Sequence, residues 1–179
     1  MNNILDEIKK NSNVRSHSHE IAVKSDEVFK KISKAHNLVI QKTPDAVDIF
    51  DHIDYYMTHN GVTFGVDIKS SDRVLQESAQ FDINNEWIWI EIKNVNGKTG
   101  WLYGKADYVL YVFNEEMWFI NKRKLVNLVE KKTEDVYVTD KHEAKYKLYQ
   151  RLNRKDLLTK VNLGDVLREL KPTILKINS

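Results

Sequence analysis

Cysteine is absent from the chain, which excludes disulfides, thiolate nucleophiles and cysteine-based zinc sites. Any metal must therefore be held by Asp, Glu or His. No apolar run approaches the ~18 residues of a transmembrane helix, and the polar N-terminal stretch carries no signal-peptide core. A cytoplasmic setting without a membrane partner is the expectation. Strong net charge is missing as well: 28 Lys and Arg against 26 Asp and Glu leave +2, so the chain as a whole is not a basic nucleic-acid coat. There is no G-x-S-x-G elbow, which leaves a serine hydrolase poorly supported. The loop around Gly97 and Gly100 lacks the spacing of a nucleotide-binding P-loop. No repeat, low-complexity block or long linker divides the chain.

What is present fits one domain over residues 1–179, with 41% hydrophobic and 30% charged residues. That is an ordinary soluble composition, and the length suffices to bury a sizeable core. The core is expected over about residues 25–132 and a basic, helical C-terminal part over about 139–171. Between Lys141 and Lys171, nine Lys and Arg against four Asp and Glu give +5, which leaves −3 for the remainder. A basic arm apart from an acidic centre suits a phosphodiester substrate, although a solvated helical face would look the same.

The most informative stretch is residues 52–69, HIDYYMTHNGVTFGVDIK. Asn60-Gly61 is a strong signal for a two-residue type I′ hairpin turn, which needs positive φ at both central residues. Such a turn pairs Met57 with Phe64, Tyr55 with Val66 and Ile53 with Ile68, all on one apolar face. The other face then carries His52, Asp54 and Tyr56 opposite Lys69, Asp67 and Gly65. Like charges directly across a ladder are destabilising, and a solvated hairpin has no need of them. Two carboxylates beside a lysine look like a divalent-metal site with an amine next to it. Downstream, EWIWIEIKN alternates Ile88, Ile90 and Ile92 with Trp87, Trp89, Glu91 and Lys93. If its isoleucines join the hairpin's apolar face, Glu91 becomes a third carboxylate. Hard cations such as Mg²⁺ take oxygen ligands and keep several waters, so two or three carboxylates suffice.

The remaining pattern is read as follows. A short helix is expected at Ile4–Lys10. A second runs from an N-cap at Ser25 to about His36, with Val28, Phe29, Ile32 and Ala35 on one face. Leu38–Gln41 reads as a short strand, Ala106–Phe113 as a buried central strand and Met117–Ile120 as another. Lys122–Lys132 reads as an amphipathic helix, with a further helix from Thr139 to about Leu152. A partly helical segment spans Leu157 to Leu170.

In these motifs the chain resembles the PD-(D/E)xK nuclease superfamily and, within it, small nuclease-like proteins often encoded by phages. The resemblance rests on His52-Ile53-Asp54, Asp67-Ile68-Lys69, Trp89-Ile90-Glu91, Gly100-Trp101 and Asp107-Tyr108, over roughly residues 45–120. The proline of the motif's name is absent before Asp54, and Asp67 stands where Glu is commoner. The resemblance implies an α/β fold with a restriction-endonuclease-like mixed β-sheet flanked by α-helices. It also implies a Mg²⁺- or Mn²⁺-dependent nuclease acting on DNA. Asp54, Asp67 and Lys69 would be catalytic, and the Ile68 carbonyl would be a further metal ligand. Glu91 is expected as a catalytic and second-metal ligand. Asp67, Glu91 and Lys93 form a rival triplet. Arg73, Lys93, Lys98, Arg151 and Arg154 are candidate nucleic-acid contacts. A homodimer is left open, and a non-catalytic nucleic-acid or protein interaction module on the same fold is the alternative.

Overall fold

A computed structural model of the chain describes residues 2–70, 82–113 and 115–177, with side chains from His17 onward apart from Ser18. The candidate Arg73 lies outside the described residues. The fold is mixed α/β. Helix α1 (Asn2–Ala35) is followed by β1 (Val39–Lys42), α2 (Asp45–Asp51), β2 (Tyr55–His59) and β3 (Val62–Ser70). Then come β4 (Trp87–Lys93), β5 (Tyr108–Val112), β6 (Glu116–Asn121) and α3 (Lys122–Lys132). Strands β7 (Glu134–Val138), β8 (Lys147–Tyr149) and β9 (Leu157–Asn162) follow. A helical turn, α4 (Leu163–Asp165), runs into a π-helical stretch, Val166–Leu170, and β10 (Thr173–Lys176) closes the chain. No helix among the described residues is long and apolar enough to cross a membrane.

Two sheets form, one six-stranded in the order β1-β2-β3-β5-β6-β10 and one four-stranded in the order β4-β9-β8-β7. Both are mixed: β3 runs parallel to β5, and β7 runs parallel to β8. The six-stranded sheet is covered on both faces. On one side Val28, Phe29 and Ile32 of α1 pack against Tyr55, Met57, Val66, Leu110 and Met117. On the other, Val109, Tyr111, Trp118 and Ile120 share a second core with Ile88 and Ile90 of β4, Val161 of β9 and Leu125 of α3. Strand β5 is buried on both faces, as its unbroken apolar run requires.

The hairpin has the expected register, with Tyr55 opposite Val66 and Met57 opposite Phe64. Asn60 and Gly61 both take positive φ, 50° and 79°, as a type I′ turn demands. The alternation ends one residue early. The Asp54 amide donates to the Val66 carbonyl, and the Ile53 carbonyl accepts the Thr43 hydroxyl. Ile53 therefore does not face Ile68. Its side chain lies over Gly65, where an added Cβ would come within 3.2 Å of it.

Three other expectations are corrected. Ser25 does not cap a helix; it is buried inside the continuous α1. Residues 45–51 form α2, after which His52 takes a left-handed φ of 53° as its C-cap instead of joining a strand. The C-terminal part is not chiefly helical. From Thr139 to Leu170 the ordered elements include β8 and β9, and the helical turns begin only at Leu163. These strands are three and six residues long, and β9 pairs with the distant β4, so no local period announces them.

Candidate active site

Asp67 is the centre of the site. Strand alternation turns it away from α1, onto the face of the six-stranded sheet that meets the second core. Its neighbour on β5 is Val109, and only 1% of the residue is exposed. A buried carboxylate must be paired or ligating to be tolerated. One oxygen is paired: Lys69 Nζ lies 2.6 Å from Asp67 Oδ1. The other, Oδ2, has no hydrogen-bond partner among the described residues. The Lys69 ammonium also sits 5.2 Å from the centre of the Trp101 ring, a buried member of the second core. Trp101 is thus a packing residue that gives the lysine a π face.

Asp54 reaches the same place from just before β2. Its Oδ2 accepts the Ile68 amide at 2.6 Å, which takes the place of a ladder bond. Burial and then the Asp67 charge raise its pKa, against the Ile68 hydrogen bond and Lys69. The two acids are therefore close enough to repel, although the regular ladder ends at Tyr55 and Val66.

Two groups join them that the sequence did not single out. Asp48, on α2, hydrogen-bonds Asp54, and its pKa is raised by burial, then by Asp54. Lys122, the first residue of α3, is 4% exposed, and its Nζ finds no hydrogen-bond partner among the described residues. Burial lowers its pKa to about 8, against the pull of Asp67 and with the push of Lys69. Its place at the positive end of a helix also disfavours an ammonium. Tyr111 closes the site from β5, donating its hydroxyl to the Trp89 carbonyl at 2.9 Å. Burial and the Asp67 charge push its phenol up. No short-range motif marks Asp48 or Lys122; one is a third acid in an acidic turn, the other opens a surface-patterned helix.

Glu91 is not brought to the acid pair. Its strand belongs to the four-stranded sheet, and Ile88 and Ile90 pack in the second core, not with α1. Glu91 accordingly alternates to the outer side with Trp87 and Trp89. No three His, Asp or Glu side chains among the described residues are placed to hold one cation together. The expected three-carboxylate set and the rival Asp67, Glu91 and Lys93 are both split between sheets. Lys93 and Lys98 are exposed on and after β4. Arg154 is exposed, while Arg151 is committed to an ion pair with the fully buried Asp156. These two arginines line a 460 Å³ groove with Tyr137, Val138, Thr139 and Gln150, remote in sequence from the acids.

The other pieces of the motif set hold the site in shape. Asp107 Oδ2 accepts the Gly65 amide at 2.8 Å, and its own carbonyl accepts the Lys122 amide at 3.0 Å. It thereby ties β3, β5 and the start of α3 together. Gly100 lies so close to β4 that a Cβ would sit 2.4 Å from the Glu91 carbonyl oxygen.

The donor set fits a hard divalent cation. Mg²⁺ takes oxygen ligands, keeps several waters and needs only one or two carboxylates from a protein. Asp54 and Asp67 supply two, one with a buried oxygen that has no hydrogen-bond partner among the described residues. No family model matches the chain, and no curated protein or solved structure matches it either.

Proposed function

We propose that the chain is a divalent-metal-dependent nuclease that hydrolyses phosphodiester bonds in DNA, built on a restriction-endonuclease-like sheet and working in the cytoplasm. The observation that carries the reading is Asp67: a buried carboxylate with one oxygen on Lys69, the other unsatisfied, and Asp54 beside it. Most buried polar atoms find a hydrogen-bond partner, so an open carboxylate oxygen calls for a ligand.

On this reading Asp54 and Asp67 hold Mg²⁺ or Mn²⁺. A cation so bound lowers the pKa of a coordinated water and neutralises charge on the scissile phosphate. Lys69, fixed between Asp67 and the Trp101 face, orients the attacking water and stabilises charge developing on the phosphate. Asp48 lies beside Asp54 and, when protonated, donates a hydrogen bond that orients it. Lys122 contributes a second, buried amine beside the same site. The test is a cleavage assay over single-stranded, duplex and branched DNA with Mg²⁺ or Mn²⁺ and with chelator. Metal-dependent products support the reading, and no product from any substrate with either metal defeats it.

One observation favours a second reading, a non-catalytic interaction module. Lys69 and Lys122 together match Asp54 and Asp67 in charge, so the cluster can be neutral without a cation. Melting curves separate the two: a module has no reason to gain stability from millimolar Mg²⁺.

A further inference from the structure

The outer face of the four-stranded sheet carries chemistry that the acid pair does not use. Ile88 and Ile90 point inward to the core, which turns Trp87 and Trp89 outward. Trp89 lies opposite Lys160 on β9, and the Lys160 ammonium sits 4.5 Å from the centre of the Trp89 ring. Lys145, bridged to Lys160 through the backbone, holds its ammonium 5.1 Å from the Trp87 ring. Tyr149 of β8 extends the row, its ring centre 5.8 Å from that of Trp89. Trp89 remains 38% exposed. The result is a strip on which aromatic rings and ammonium groups alternate.

Burial first, and then the nearby Lys141 and Lys145, disfavour the charge on Lys160, with Asp140 opposing them. Glu91 is the acid on β4's outer side. Crowded ammoniums invite an anion, and alternating rings invite a ligand with flat faces between its charges. A duplex hides its base faces in the stack; an acidic peptide has no such faces. A single strand of nucleic acid offers both, with phosphates for lysines and unstacked bases for indole and phenol rings.

We propose that this face, centred on Trp89, Tyr149, Lys145 and Lys160, binds single-stranded nucleic acid. It lies on the far side of the four-stranded sheet from the acid pair, so binding there does not depend on cleavage. It also gives the chain a preference for unpaired strands that the basic groups named from the sequence do not supply.

The test is fluorescence anisotropy of a dye-labelled oligo-dT of about fifteen nucleotides, titrated with the full chain in chelator so that no strand is cut. A duplex of equal length and poly-glutamate serve as competitors. The single strand should bind more tightly than the duplex, and poly-glutamate should compete weakly. Trp89→Ala should weaken binding about 5- to 160-fold, the range for losing one stacked base, and Trp89→Phe should restore most of it. Lys145→Gln with Lys160→Gln leaves the core untouched and should lower the salt slope by roughly 1.4, two single-strand phosphate contacts. Equal or tighter duplex binding, competition by poly-glutamate at equal charge, or a salt slope unchanged in the double variant would each overturn the proposal. None of these outcomes bears on whether the acid pair cuts.

Discussion

Lys122 offers the sharpest test of how the site is balanced. Its amine is buried, has no hydrogen-bond partner among the described residues, and titrates near 8 in place of the ordinary 10.5. At about 1.4 kcal/mol per pH unit, that fall means the ammonium costs about 3 kcal/mol at neutral pH. Water reaching the amine reduces the figure, so Lys122→Met should stabilise the chain by about 1–3 kcal/mol at pH 7. The sign follows from linkage. Between pH 8 and 10.5 the unfolded chain holds the proton and the folded chain does not, so wild-type stability rises with pH there. The advantage of Lys122→Met should therefore shrink to below about 1 kcal/mol at pH 10. Urea unfolding of both proteins in chelator at the two pH values, at constant m, measures it. A variant less stable than wild type at pH 7 would refute the reasoning, because the ammonium would then have a partner worth more than its burial.

Other consequences are as direct. Asp54 has a raised pKa, so the metal-free chain should lose stability as pH rises through that value. Asp54→Asn should remove the loss, visible as a flatter curve of urea midpoint against pH. The same substitution should abolish the gain from Mg²⁺, which is about 1.4 kcal/mol when free metal exceeds its Kd tenfold, read by thermal melts. Gly100→Ala places a methyl group against β4 backbone that cannot move aside, and should cost about 1–3 kcal/mol in the same unfolding assay. Arg151→Glu leaves the buried Asp156 unpaired, so it should unfold the chain more readily by about 3–5 kcal/mol. Arg154→Glu, on an exposed residue, should leave the midpoint within about 0.5 kcal/mol.

Legibility in the sequence followed the range of the interactions. The hairpin was readable because Asn60-Gly61 sets its register locally from His59–Val62 back to Tyr55–Val66, while Asp54 reaches Asp67 through the irregular ladder just beyond it. Strand β5 and helix α3 were readable from an unbroken apolar run and from a 3.6-residue period. The irregular ladder at Asp54 was not, because it depends on Thr43 reaching the Ile53 carbonyl. Glu91 was misplaced for a similar reason. Alternation gives the two sides of β4, but only tertiary packing decides which sheet the strand joins. Asp48 and Lys122 reach the acids through α2 and α3, elements whose own patterns say nothing about a site. The strands between Thr139 and Asn162 are short, and the pairing of β9 with β4 is long-range.

Single-turnover cleavage of DNA in Mg²⁺ by wild type and by Lys69→Ala tests the central claim most directly. Lys69 touches Asp67 and the Trp101 face and is half-buried, so its loss should leave the fold and most DNA affinity intact. If the amine acts at the scissile phosphate, the rate should fall about 10²-fold or more, the usual cost of one such stabilising contact. A Lys69→Ala protein that cuts at the wild-type rate would contradict the site, and a Lys93→Ala protein that is then inactive would move it to the other triplet.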